Sequence, residues 1–85
     1  MAQIIFTQQL ARFLPVPTLE TRAATLRAAL EGAFADNPRL GPYVLDEQGR
    51  LRANVAVFID GKRSELDAPL GNDSKIYVLQ ALSGG

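Results

Sequence analysis

The sequence predicts an α+β roll, a mixed sheet of four to five strands with one main helix packed on one face. Three observations carry this expectation. Leu26, Ala29, Leu30, Ala33 and Phe34 fall at i, i+3, i+4, i+7 and i+8, which is one face of an α-helix. Two later runs, Asn54 to Lys62 and Lys75 to Leu82, are rich in β-branched and apolar residues, as strands require. The chain has 85 residues, enough for one hydrophobic core and not for a second. A single apolar stripe laid on one face of a sheet is the economical two-layer arrangement at that size.

From the start, Gln3 to Phe13 opens with Ile4, Ile5 and Phe6, a cluster suited to a strand. Leu14-Pro15-Val16-Pro17 interrupts it, because two prolines in three residues remove ladder donors. Thr18 to Ala23 resumes as a second strand with Leu19, Thr21 and Ala23 on one face, making a hairpin; a helix beginning at Thr18 is the alternative. Thr25 stands where it can cap the main helix, and Asn37-Pro38 ends it by forcing the residue before proline out of the α region. A helix of this length is marginal alone, so its stripe must lie on something.

Arg39 to Arg52 is irregular, with Gly41 and Pro42 followed by a turn at Asp46-Glu47-Gln48-Gly49. In the next run Val55, Val57 and Ile59 share one face and Ala56 and Phe58 the other, which reads as an interior strand. Asp60-Gly61 is a type I′ hairpin signal, with Lys62 to Leu66 as the return strand. Pro69 to Ser74 is a turn cluster. In the last strand, Lys75 to Leu82, Ile76 and Val78 face one way and Tyr77 and Leu79 the other. Parallel pairing of the first and last strands at the centre would make the roll a β-grasp. The expected organisation is one β-grasp domain over residues 1–82 and a flexible tail over residues 83–85.

Composition excludes several kinds of chemistry. Lacking His and Cys, the chain has no triad of the usual kind, no thiol nucleophile and no Cys/His metal site. Nine basic and nine acidic side chains cancel, which argues against a strong electrostatic nucleic-acid binder. The sequence lacks an apolar run of about eighteen residues and a basic, signal-like N-terminal segment, so the expectation is a cytoplasmic protein without membrane contact.

Ser83-Gly84-Gly85 directly follows the last expected strand. At an average glycine usage of roughly 7%, two glycines end a chain by chance in only about 0.5% of cases, which makes their position informative. Without a Cβ, such a tail can thread a channel too narrow for side chains and offers an unhindered acyl group. A frayed end of no consequence is the competing reading.

The chain resembles the ubiquitin-like sulfur-carrier family of β-grasp proteins, which includes the molybdopterin synthase small subunit and the thiamine-biosynthesis carrier. Three stretches carry the likeness. They are Thr25 to Leu30 continuing to Asn37-Pro38, Gly49-Arg50-Leu51-Arg52 leading into Val55 to Gly61, and Pro69-Leu70 with Ile76 to Gly85. Many relatives have proline where this chain has Gln80, and an acidic Asp-Gly-Asp turn in place of Gly71-Asn72-Asp73-Ser74. The Tyr43-to-Leu51 segment brings it nearer the molybdopterin-like branch than the shorter thiamine-type carriers.

The resemblance implies a protein co-substrate, not an enzyme, with no bound cofactor. A ubiquitin-activating-like adenylyltransferase would use ATP and Mg to adenylate the Gly85 carboxylate. Persulfide or sulfide would then displace AMP, leaving a covalent thiocarboxylate on Gly85 for an acceptor synthase subunit. Gly84 and Ser83 would thread the partner's channel, with Leu79, Ala81 and Leu82 as the docking residues. That one of Leu79 and Leu82 belongs to the core is an equally good reading. A ubiquitin-like modifier joined through Gly85 and a plain β-grasp interaction domain are the other two functions the sequence allows. Arg50, Arg52, Lys62 and Arg63 form either a basic surface or, more simply, ordinary solvated charges. Asp46 and Glu47 read as turn residues before they read as an acid/base or metal pair, and Asp60 is accounted for by its turn.

Overall fold

In a computed structural model, residues 1–12, 14 and 18–80 are described. Five strands form one mixed sheet: β1 (Ala2–Phe6), β2 (Thr18–Thr21), β3 (Val55–Ile59), β4 (Lys62–Arg63) and β5 (Lys75–Gln80). Their order across the sheet is β2-β1-β5-β3-β4. The main helix, α2 (Leu26–Asp36), is accompanied by two four-residue helices, α1 (Gln8–Ala11) and α3 (Gly41–Val44). β1 and β5 pair in parallel at the centre, and the β1–β2, β3–β4 and β3–β5 pairs are antiparallel. This is the β-grasp fold.

The pleat sorts the two faces. On the inner face, Ile4, Ile76 and Ile59 form one cross-strand row, and Phe6, Val78 and Val57 form the next. All six are buried. Over them lies α2, which buries Leu26, Ala29, Leu30 and Ala33. Fully burying a side chain of this kind contributes roughly 1.5–3 kcal/mol. Phe34, expected in the stripe, is only partly buried; its ring lies 3.5 Å from where a Cβ on Gly41 would stand. Leu40 and Val44 close the core from the α3 side.

Both ends of α2 follow the expectation. The Thr25 Oγ1 accepts a hydrogen bond from the Ala28 N–H at 3.3 Å, and Asn37 is the C-cap. Thr25→Ala should destabilise the protein by about 1 kcal/mol, read as a lower urea midpoint at unchanged slope. An unchanged midpoint would show that the neighbouring segment alone holds the helix start.

That neighbouring segment explains why the hairpin's return strand is shorter than expected. Instead of Lys62 to Leu66, β4 is two residues long. Beyond it, the Leu66 carbonyl accepts from the Arg27 N–H at 2.8 Å and the Ala68 carbonyl from the Leu26 N–H at 3.0 Å. These are first-turn donors of α2 that the helix cannot satisfy itself. The chain therefore leaves the sheet to cap the helix, and Leu66 enters the core.

The first strand ends at Phe6, well before Phe13. Both the backbone N–H and the Oγ1 of Thr7 donate to the Val78 carbonyl, at 3.1 and 3.2 Å. The chain then coils into α1, which buries Leu10. The segment expected to be irregular after Arg39 contains α3, whose early Pro42 suits a helix start. The Pro15-Val16-Pro17 part of the first turn lies outside the described residues, as does the continuation of the last strand to Leu82.

Candidate functional site

Ala81, Leu82, Ser83, Gly84 and Gly85 also lie outside the described residues. The described part of the candidate site is the strand that leads to them. β5 is the middle strand of the sheet, held by β1 on one side and β3 on the other. It ends at Gln80, opposite Val55. Whatever follows Gln80 thus starts from the best-anchored strand of the molecule.

Pleating decides the fate of Leu79. Ile76 and Val78 are wholly buried, whereas Tyr77 is 39% and Leu79 37% exposed on the outer face. Leu79 therefore lies outside the core, on the outer face. Sequence reading did not single out its neighbours. Tyr77 sits between Ile5 of β1 and Phe58 of β3, and Leu79 lies opposite Ala56. Ile5, Ala56 and Phe58 are half-buried. Together they make an apolar band across three strands, on the face opposite α2. The signal was present: β3 is apolar at every position of both faces, and β1 at every position but Gln3, more than one core requires. Contiguous exposed apolar surface of this kind marks binding faces. Around the band, Arg63 pairs with Phe58, and Lys75 with Gln3, at the same pleat level.

The four basic residues do not form a patch. Arg50 Nε lies 3.6 Å from Asp46 Oδ2, and its guanidinium also reaches Gln48. Arg52 donates to the Pro42 carbonyl, and it lines a shallow groove with Arg63 and Glu65, so charges of both signs meet there. Lys62 stands beside the hairpin turn.

Asp46 organises its own loop. Its Oδ1 accepts from the Gln48 N–H at 2.8 Å and the Arg50 N–H at 3.0 Å. The Arg50 backbone donor, above all, holds this carboxyl below its usual range, and the Gln48 N–H and the Arg50 and Arg52 charges act in the same direction. Because the folded pKa is depressed, the stabilisation is present above the unfolded value and is lost as pH falls through the folded one. Asp46→Asn should therefore flatten the loss of stability below about pH 4. Urea midpoints measured across that range would show it, and parallel acid limbs would contradict it.

Asp60 and Gly61 both have positive φ, 51° and 85°, as the type I′ turn requires. The Asp60 Oδ1 accepts from the Lys75 N–H at 3.0 Å, which ties the turn to the start of β5. Among the described residues no group of three or more acidic side chains is placed to hold a metal ion, and no helix is long and apolar enough to cross a membrane.

The fold has close counterparts among solved structures. SAMP1 from Haloferax volcanii superposes with a TM-score of 0.88 at 21% identity, covering 99% of this chain and 98% of that one. A chain of the Amycolatopsis orientalis BexX/CysO complex gives 0.88 at 14% identity, with all of both chains covered. Urm1 from Sulfolobus solfataricus gives 0.74 at 18%, over 92% of this chain and 97% of that one. Identities this low establish the shared fold and leave activity to be argued from the site. No protein-family model matches the sequence, and no curated protein matches it either.

Proposed function

We propose that the protein is a sulfur carrier whose Gly85 carboxyl group is adenylated by an ATP-dependent activating enzyme and converted to a thiocarboxylate. The observation that carries this reading is the course of β5. The central strand runs past an exposed apolar band and ends at Gln80, and the sequence continues from there with Ala81 to Gly85. A partner seated on Ile5, Phe58, Tyr77 and Leu79 would hold the carrier in one register while the following residues reach its active centre. Ala81 and Leu82 would extend that contact, and Ser83 and Gly84 would pass through the channel.

The chemistry demands little of the carrier itself. A carboxylate is a poor electrophile, and the mixed anhydride with AMP provides a leaving group. Sulfur from a persulfide or sulfide attacks the Gly85 carbonyl carbon, AMP departs, and the product is a protein-bound thiocarboxylate. The activating enzyme supplies ATP, Mg and the catalytic groups. The acceptor is a synthase subunit, and the longer Tyr43-to-Leu51 segment favours the molybdopterin-like branch. A cytoplasmic location fits those partners.

A modifier joined through Gly85 to lysines of other proteins is the second reading. It is favoured by the likeness to a protein whose name is small archaeal modifier protein 1. Intact mass spectrometry of the protein from its own host separates the two. A fraction heavier by one oxygen-to-sulfur exchange on the Gly85 peptide, reactive with thiol reagents, identifies a carrier. The chain has no cysteine, so that reactivity has no other source. Isopeptide adducts without any thiocarboxylate, even after treatment with the activating enzyme, ATP and a sulfur source, would identify a modifier.

A further inference from the structure

The two edges of the sheet differ. β4 is two residues long, and the chain then leaves it to cap α2, so little of that edge is open. β2 is four residues long and stands at the other end, with nothing among the described residues paired to its outer side. Which groups point outward follows from β1. The Gln3 N–H donates to the Ser74 carbonyl at 2.9 Å and the Thr7 N–H to the Val78 carbonyl at 3.1 Å. The backbone polar groups of Gln3 and Ile5 therefore face β5, and those of Ala2 and Ile4 face β2, where they meet Thr21 and Leu19. By the same alternation, the N–H and C=O groups of Thr18, Glu20 and Arg22 are turned to the free edge.

The side chains along this edge are self-complementary. In Thr18-Leu19-Glu20-Thr21-Arg22-Ala23-Ala24, an acid stands one residue before Thr21 and a base one residue after it, both exposed. We propose that β2 pairs antiparallel with β2 of a second copy of this chain, with the two-fold axis between the two Thr21 residues. A closed symmetric pair of strands must set one residue opposite its own copy. With Thr21 at the axis, Glu20 lies opposite Arg22 of the second copy. Each such pair exchanges two N–H···O bonds from groups that already point outward. Leu19 and Ala23, both partly buried against the core, meet on the inner face. Centring on Glu20 would set two carboxylates against each other, and centring on Leu19 would leave Glu20 opposite Thr18 without a counter-charge. Charge therefore chooses the register.

The arrangement keeps both α2 helices on the same face of a joined sheet, and there is room for them. Leu19, Ala29, Gly32 and Met1 line a groove between β2 and α2. A Cβ on Gly32 would meet nothing within 4 Å, and Met1 is 50% exposed. A second copy would cover both. The apolar band stays open, because it lies on β1, β5 and β3 on the other face, so the dimer presents it twice.

An interface built on one short strand is small, so this dimer forms at high protein concentration. Sedimentation equilibrium of the native chain, carried to millimolar concentration, should show a monomer–dimer equilibrium. Glu20→Arg and Arg22→Glu each turn both cross-strand pairs into like charges and should weaken the dimer at least about tenfold. Mixed in equal amounts, the two variants restore opposite charges in both pairs and should associate as the native chain does. Circular dichroism checks that each variant is folded. A native chain that stays monomeric throughout would overturn the inference and leave the edge to a strand from another protein. Single reversals that dimerise like the native chain, or a mixture that does not recover, would overturn it as well.

Discussion

Deleting Gly84-Gly85 is expected to abolish sulfur loading and leave the fold unchanged. Incubated with the activating enzyme, ATP and a sulfur donor, the truncated chain should release no pyrophosphate and gain no sulfur. Its urea midpoint should match that of the full chain, because among the described residues every member of the hydrophobic core lies at or before Val78. The same variant separates the third function the sequence allows. An interaction domain binds through a surface, and the apolar band of Ile5, Phe58, Tyr77 and Leu79 survives the deletion. Undiminished biological activity in the truncated protein would therefore remove both acyl-transfer readings at once. Loss of activity with partner binding retained would place the function at the acyl group.

Ile76→Ala should be among the most damaging single substitutions in the chain. Ile76 is wholly buried, flanked by Ile4 on the parallel side and Ile59 on the antiparallel side. Removing most of its side chain leaves a cavity among three strands of a pinned sheet with a helix above. Isoleucine-to-alanine changes of this kind cost about 2–5 kcal/mol. A domain of this size has a total stability of only roughly 4–13 kcal/mol. Much of the protein should therefore be unfolded in mild urea, with a fall in midpoint several times that of Thr25→Ala. A loss below about 1 kcal/mol would mean that the site collapses around the gap.

The parts of the fold that were legible in the sequence are those that local chemistry determines. The α2 stripe with its Thr25 cap, the Asp60-Gly61 turn and the alternation of Ile76 and Val78 against Tyr77 and Leu79 each depend on residues a few positions apart. What escaped depends on contacts distant in sequence. Nothing local to Thr7 announces that two of its donors meet the Val78 carbonyl, so the end of β1 and the turn into α1 were hidden. Nothing near Glu65 shows that the following carbonyls satisfy the first N–H groups of α2, so the hairpin looked longer than it is. The apolar band is a third case. Leu79 was visible as a candidate, but Ile5 and Phe58 become its neighbours only through the order β2-β1-β5-β3-β4, which pairing across the whole chain creates.

The central pairing of β1 with β5 also bears on when the protein becomes competent. Gln3 lies opposite Lys75, so the middle of the sheet joins residues 72 positions apart in the chain. Such distant contacts form late and slow the folding of small domains. During synthesis, the N-terminal strand must wait for the last strand to leave the ribosome before the middle of the sheet can close. A chain that stalls early cannot complete its sheet, and neither can one cut before β5. Presentation of the apolar band therefore reports that the pairing of β1, β5 and β3 is complete. A partner that reads that band would meet only chains whose sheet has already closed.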